Sequence, residues 1–200
     1  KAEVKTLSIA SPITKADGAV TFVADSPAVA TSTITGTSSI VADGSSTSTI
    51  TITILDANSN PISGTTPTFS ATDTVTTNSY NACSSTNGSG VSTCTMTSTY
   101  AEVKTLSIAT PISKADGAVT FVAGAAVVAN STITGTSSIV ADGSTTSTVT
   151  ITLIDLNSNP ISGITPTFSA TDTGTANSYN ACSSTNGSGV STCTMTSTYA

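Results

Sequence analysis

Residues 48–55 read STITITIL, and within this run Ile50, Ile52 and Ile54 alternate with Thr51 and Thr53. A helix would scatter these three isoleucines around its circumference, whereas a strand sends alternate side chains to opposite faces. The run therefore reads as a half-buried antiparallel strand, with isoleucines toward a core and threonines toward water. Threonine is β-branched and suits this setting. Working outward, further strands are predicted at Val4–Ile9, Val20–Val23, Thr33–Ser39, Thr66–Ala71 and Val91–Thr99. Turn clusters divide them at Asp17-Gly18, Asp43-Gly44 and Asn58-Ser59-Asn60-Pro61. No stretch sustains a helical period.

The same strands return. Residues 2–100 align with 101–199 at a constant offset of 99, without a gap and with fifteen differences, so the chain is a tandem array. The differences cluster where Asp25, Ser26, Pro27, Ala28 and Thr31 become Gly124, Ala125, Ala126, Val127 and Asn130. A variable patch holding a proline suits a junction between modules. This places residues 1–27 as the closing strands of one module, 28–126 as a complete module and 127–200 as the opening part of another. Six or seven short strands in each 99-residue unit, with turns about every 8–12 residues, fit an all-β fold. The expected architecture is a series of tandem Ig-like β-sandwiches with Greek-key-type antiparallel sheets.

CSSTNGSGVSTC runs from Cys83 to Cys94 and recurs unchanged from Cys182 to Cys193. If Asn87–Gly90 form a turn, Thr86 opposes Val91, and counting outward sets Cys83 opposite Cys94. Four cysteines allow three pairings, of which the repeat makes the local one most economical: Cys83–Cys94 and Cys182–Cys193. The alternative is buried free thiols, because Cys94 shares a strand face with Met96. A zinc or CxxC redox site is excluded by the spacing and by the absence of histidine. Disulfides imply an oxidising compartment, hence a protein working outside the cell.

Composition removes several function classes. The 200 residues carry a net charge of -6 and five lysines, with no arginine or histidine, so there is no basic patch for nucleic acid. Only 8% of residues are charged. Roughly two-fifths of the first hundred are Ser or Thr, yet the patterned aliphatic residues argue against disorder. The longest apolar run, Val122–Ala129, is too short to cross a bilayer, and residues 1–20 lack a signal-peptide core. Catalysis has no histidine base, no phosphate-cradling glycine loop before a helix and no visible pair of carboxylates in a shared apolar setting. The reading is of a protein without enzymatic activity, cofactor or metal.

Other patterns have structural readings. Asp56-Ala-Asn58-Ser-Asn60 and Asp155-Leu-Asn157-Ser-Asn159 alternate oxygen ligands as calcium loops do, but no glutamate closes either set and Pro61 suits a hairpin turn. Threonine ladders, Thr47 to Thr53 and Thr93 to Thr99 at alternate positions, could offer a flat hydroxyl face to sugar or ice. They equally suit the solvent face of any antiparallel strand. Tyr80, Tyr100, Tyr179 and Tyr199 are expected to pack at sandwich edges. Asn87, Asn130 and Asn186 open glycosylation triplets, although Asn-Gly is first a turn signal.

VADGSSTSTITITILDANSNPISGTTPTFSAT (41–72), followed by TNGSGVSTCTMTST (86–99), resembles the group 1 bacterial Ig-like domain, the repeat of invasin- and intimin-type surface adhesins. The matching pieces are Ala42-Asp43-Gly44 before the long strand, the Asp-x-Asn-x-Asn-Pro hairpin at 56–61, Thr68-Phe69-Ser70-Ala71, and Asn87-Gly88-Ser89-Gly90-Val91 before the next strand. The resemblance covers nearly the whole chain. It implies a structural repeat of an extracellular fibre or adhesin stalk on a bacterial cell surface. The alternatives are a threonine-face binding module and an accessory domain of a secreted enzyme. The expected partners are neighbouring identical modules, joined either by covalent continuation of the array or as a head-to-tail filament completed by strand donation. Residues 1–27 hold the strands that 127–200 need, equivalent to Val103–Ile108 and Val119–Val122, and are not expected to fold back across the intervening module.

Overall fold

A computed structural model describes residues 3–171, 174 and 176–200. Lys1 and Ala2, in the 1–27 span, and Asp172, Thr173 and Thr175, in the 127–200 span, lie outside the described residues. Every regular element among the described residues is a strand. In chain order these are β1 (Glu3–Ile9), β2 (Lys15–Phe22), β3 (Thr33–Gly36), β4 (Ile40–Val41), β5 (Ser48–Thr53), β6 (Thr68–Ala71) and β7 (Asn78–Tyr80). They continue with β8 (Val91–Ser98), β9 (Val103–Thr110), β10 (Lys114–Val122), β11 (Thr132–Gly135), β12 (Ser147–Thr152), β13 (Asn177–Tyr179) and β14 (Val190–Ser197). The chain divides into two compact units, Lys1–Ile40 with Gly44–Phe121 and Val41–Asp43 with Val122–Ala200.

In the first unit, β3-β5-β8-β7 form one antiparallel sheet and β4-β10-β9-β6 a second, while β1 and β2 form a separate hairpin. The STITIT run is the spine of the first sheet. Ile50, Ile52 and Ile54 are fully buried, and β5 pairs with β8 so that Ile50 meets Cys94 and Ser48 meets Met96. Leu106, Ile108, Val119 and Phe121 close the core from the second sheet. Burying each such side chain contributes about 1.5–3 kcal/mol. The sheets approach closely at Gly36, where a Cβ would lie 2.9 Å from Ile50 Cδ1 and 3.1 Å from Leu106 Cδ1. Serines on the inward faces find local acceptors: Ser48 Oγ donates to Thr37 O at 2.8 Å and Ser92 Oγ to Ser84 O at 2.6 Å.

Two sequence expectations change. The predicted strand Thr33–Ser39 breaks after Gly36, and the chain enters the other sheet at Ile40; Ser39, with φ 62°, makes the bend. Asp17-Gly18 is not a turn. The β1–β2 register jumps from Leu7↔Gly18 to Ser8↔Ala16, so Asp17 is the extra residue of a β-bulge, and β2 starts at Lys15 rather than Val20. Asp116 does the same between β9 and β10, and a Cβ on Gly117 would collide with the backbone carbonyl of Ile34. Glycine is required there for close approach of a neighbouring strand, a need that looks identical to a turn signal in sequence.

In the second unit, β11-β12-β14-β13 repeat the order of the β3-β5-β8-β7 sheet. The register is carried over: Val149 meets Cys193, and Ile151 meets Ser191. Val149, Ile151 and Cys193 are buried, with Leu153, Phe168, Cys182 and Met195 packed against them.

Candidate functional site: bridged hairpins and linker latches

The candidate site residues are the four cysteines, and the structure joins them in two local pairs. Cys83 and Cys94 are bonded with their Cα atoms 4.3 Å apart, Cys182 and Cys193 with theirs 4.2 Å apart, and no described cysteine is free. The turn between them explains the pairing. Gly90 N–H donates to Asn87 O and Asn87 N–H to Val91 O, both at 2.9 Å, while Asn87 Oδ1 accepts from the N–H groups of Ser89 and Val91. Farther out, Ser84 N–H donates to Thr93 O at 3.0 Å and Asn81 N–H to Thr95 O at 2.9 Å, which leaves Cys83 facing Cys94. Gly90 has φ 75°, and a Cβ there would stand 2.5 Å from Ile54 O. The hairpin tip therefore docks on the end of the STITITIL segment only because this residue is glycine.

In the loop that alternates oxygen-bearing residues, the Asp56 carboxylate is fully engaged by hydrogen bonds. Its Oδ1 accepts from Asn58 N–H at 2.9 Å and Asn60 N–H at 2.8 Å; its Oδ2 accepts from Asn60 Nδ2 at 2.7 Å and Asp25 N–H at 3.0 Å. Asn58 and Asn60 thus orient the carboxylate by donating to it. Among the described residues no group of three or more His, Cys, Asp and Glu could hold a metal. The Asn60 side-chain amide, aided by the backbone N–H groups and opposed by burial, lowers the Asp56 pKa to about 2. Asp155 repeats the arrangement with Asn157, Asn159 and Gly124 N–H at 2.9 Å. Burial raises its carboxyl, and these donors outweigh that to hold it below the usual range. Each aspartate latches the segment that leads into its own module. The spacing of Asp56 and Asn60 was visible in sequence, whereas Asp25 lies 31 residues away.

A second polar feature escaped sequence reasoning. Lys104 is fully buried, and its Nζ lies 2.6 Å from Glu102 Oε1 and 3.7 Å from Asp73 Oδ1. Two carboxylates that seemed unrelated in sequence meet at one ammonium. Burial raises both carboxyls, but donors from Thr77 and Asn78 to Asp73, and from Lys104 and Thr74 to Glu102, bring both pKa values below the ordinary range. The only sequence signal was the alternation of Lys104 with Leu106 and Ile108 on one strand face.

The remaining patterns have local roles. Tyr80 stacks edge-on against Phe69 at 5.3 Å and accepts Ala71 N–H; Tyr179 does the same with Phe168 and Ala170. Thr35, Thr51 and Thr93 stand side by side across β3, β5 and β8, as do Thr49 and Thr95 across β5 and β8. No helix among the described residues is long and apolar enough to cross a membrane.

The sheets and bridged hairpins define the class: tandem Ig-like β-sandwich modules of the kind found in bacterial adhesins. The chain belongs to the family described as invasin, domain 3, which matches residues 28–124 and again 127–200. Among solved structures it is similar to invasin, a bacterial integrin-binding protein, with TM-score 0.69 and 24% identity over 100% of this chain and 41% of that one. The Escherichia coli adhesin FdeC is similar with TM-score 0.67 and 23% identity over 98% of this chain and 65% of that one. Yersinia pseudotuberculosis InvD follows with TM-score 0.60 and 26% identity over 86% of this chain and 50% of that one. The chain spans less than two thirds of each of these structures. No curated protein matches it significantly.

Proposed function

We propose that this chain is a structural segment of an extracellular bacterial fibre or adhesin stalk, a rod of disulfide-bridged Ig-like modules divided at 1–27, 28–126 and 127–200. The observation that carries the reading is one sequence found in two states. The β9–β10 pair buries Leu106, Ile108, Val119 and Phe121, whereas β1–β2 leaves the equivalent Leu7, Ile9, Val20 and Phe22 exposed. Conversely, Ile34 is buried in the complete sandwich and its equivalent Ile133 is exposed. Each unpartnered half carries the surface that the other accepts, so neighbouring identical modules are the natural partners, by covalent continuation or by strand donation from another copy.

The bridges favour an oxidising, extracellular setting. Near-identity of the modules favours a uniform spacer, because a binding site needs only one copy while a rod needs many. The chain is read as non-enzymatic, in keeping with its likeness to adhesins. Small-angle scattering of proteins carrying increasing numbers of the 99-residue repeat tests the rod: the maximum dimension should grow in proportion to repeat number. Growth as the cube root, as for a collapsed globule, overturns it.

The in-register threonines of β3, β5 and β8 support one second reading, a hydroxyl face that docks carbohydrate or ice. Glycan-array binding or ice-recrystallisation inhibition that is lost on Thr51→Val with Thr93→Val favours this reading over a passive spacer.

A further inference from the structure

The pairing of β6 with β9 sets Ala71 opposite Leu106, and the ladder continues through Thr72 N–H to Thr105 O at 3.0 Å and Thr105 N–H to Thr72 Oγ1 at 2.9 Å. The next cross-strand pair is therefore Asp73 with Lys104. Both side chains enter the same pocket as Glu102, which lies two residues before Lys104 on the same strand face. Lys104 is wholly out of solvent, and Asp73 and Glu102 are about four-fifths so, with side-chain exposures of 19% and 20%. The acceptor carboxyl is held from both sides: Oδ1 takes the Thr77 hydroxyl at 3.0 Å and Oδ2 takes Asn78 N–H at 2.9 Å. Glu102 is fixed by the Thr74 hydroxyl.

We propose that Lys104 and Asp73 condense into an intramolecular isopeptide bond, with Glu102 as the proton carrier. Glu102 takes one proton from the ammonium across their 2.6 Å hydrogen bond, which frees the nitrogen lone pair. Nζ adds to Cγ of Asp73, and the Asn78 N–H steadies the charge gathering on Oδ2. Glu102 delivers its proton to Oδ1 and relays a second one from the nitrogen. The Cγ–Oδ1 bond breaks, and Oδ1 leaves as water. Of the three ammonium protons, two depart in that water and one stays on the amide. One carboxylate and one ammonium become one amide and one water, with no oxidant or reductant consumed.

Two physical terms favour the step. The strand pairing holds the reactants together before reaction, which removes the entropic cost of their encounter. The product is neutral, so the desolvation cost of keeping two opposite charges inside the protein disappears. The bond would be a covalent rung between β9 and the segment that follows β6. Lys5, the equivalent lysine in β1, faces Val20 of β2, and its one ion-pair partner among the described residues is Glu3, so the bond is expected at Lys104.

Mass spectrometry of the intact full chain, unreduced, tests this directly. The mass should fall short of the disulfide-bonded sequence by one water. Trypsin should fail to cut after Lys104, and a glutamate-specific protease should then leave residues 103–114 joined to the fragment containing Asp73. A full mass with normal cleavage at Lys104 overturns the proposal, as does a missing water located anywhere else. Glu102→Gln should restore the full mass with an unchanged β-sheet circular dichroism spectrum. A Glu102→Gln chain that still lacks the water removes Glu102 from its assigned role. If that variant does not fold, the mass and peptide linkage of the unaltered chain decide the matter alone.

Discussion

The hairpin β1–β2 and the pair β9–β10 are nearly the same peptide, differing between 3–22 and 102–121 only at Ser11 against Thr110 and Thr14 against Ser113. Both form the same antiparallel register with the same bulge at Asp17 and Asp116. Their burial differs on one face, while the other is exposed in both, as at Val4 and Val103. Leu7 is 51% exposed and Leu106 is 0%; Phe22 is 57% exposed and Phe121 is 1%. Lys5 sits in solvent beside Glu3, whereas Lys104 is sealed between Glu102 and Asp73. Strand pairing is therefore written into the local sequence, and burial is supplied by the sheet on which the pair lies. An isolated hairpin of this kind is marginal in water, and the facing sheet is what makes it stable.

The strongest test is to give the open sheet what the closed one has. Appending the sequence of residues 102–122 after Ala200 should convert β11-β12-β14-β13 into a complete sandwich. The four apolar side chains added to the core contribute about 1.5–3 kcal/mol each, before the entropy of ordering the segment is subtracted. Hydrogen exchange of the β12 and β14 amides should slow by orders of magnitude. Unchanged exchange would break the equivalence of the two sheets.

Next in size is the same truncation at paired positions. Phe121→Ala should cost about 3–5 kcal/mol through transfer and cavity terms. Phe22→Ala should stay within about 0.5 kcal/mol, as exposed substitutions usually do. Denaturant titration separates them, and equal losses would show that β1–β2 is packed in solution.

The bridges come third. Replacing Cys83 and Cys94 with alanine together should destabilise the complete sandwich by roughly 3 kcal/mol, the chain-entropy value for a loop of this size. Far-UV circular dichroism should remain that of a β protein, because the strand pairing of β5 with β8 and the buried isoleucines remain. A loss of all β signal would mean that the hairpin nucleates the fold.

The smallest effect is acid sensitivity at the latch. The folded pKa of Asp56 lies at about 2 against an ordinary 3.8, so its stabilisation is fully present above the unfolded value. It is lost as the pH falls from about 3.8 through about 2. Thermal midpoints should drop across this window and less steeply in Asp56→Asn. An identical pH profile in the two proteins would remove the latch role.

What depends on near neighbours was legible in the order of the amino acids. Alternation in STITITIL located the central strand, the Asn87–Gly90 turn located the facing cysteines, and the 99-residue offset located the repeat. Each of these is a matter of backbone geometry over a few residues, or of copying. Tertiary structure decided the rest. It alone revealed that Asp17-Gly18 is a bulge, that the chain changes sheets at Ser39, that Asp56 reaches back to Asp25, and that Lys104 sits between Asp73 and Glu102. In each case the deciding partner is remote in sequence, or a close backbone approach makes the same residue types serve another purpose. A lysine on a strand is ordinarily solvent-facing, and only the sheet laid across it determines whether its charge meets water or carboxylates.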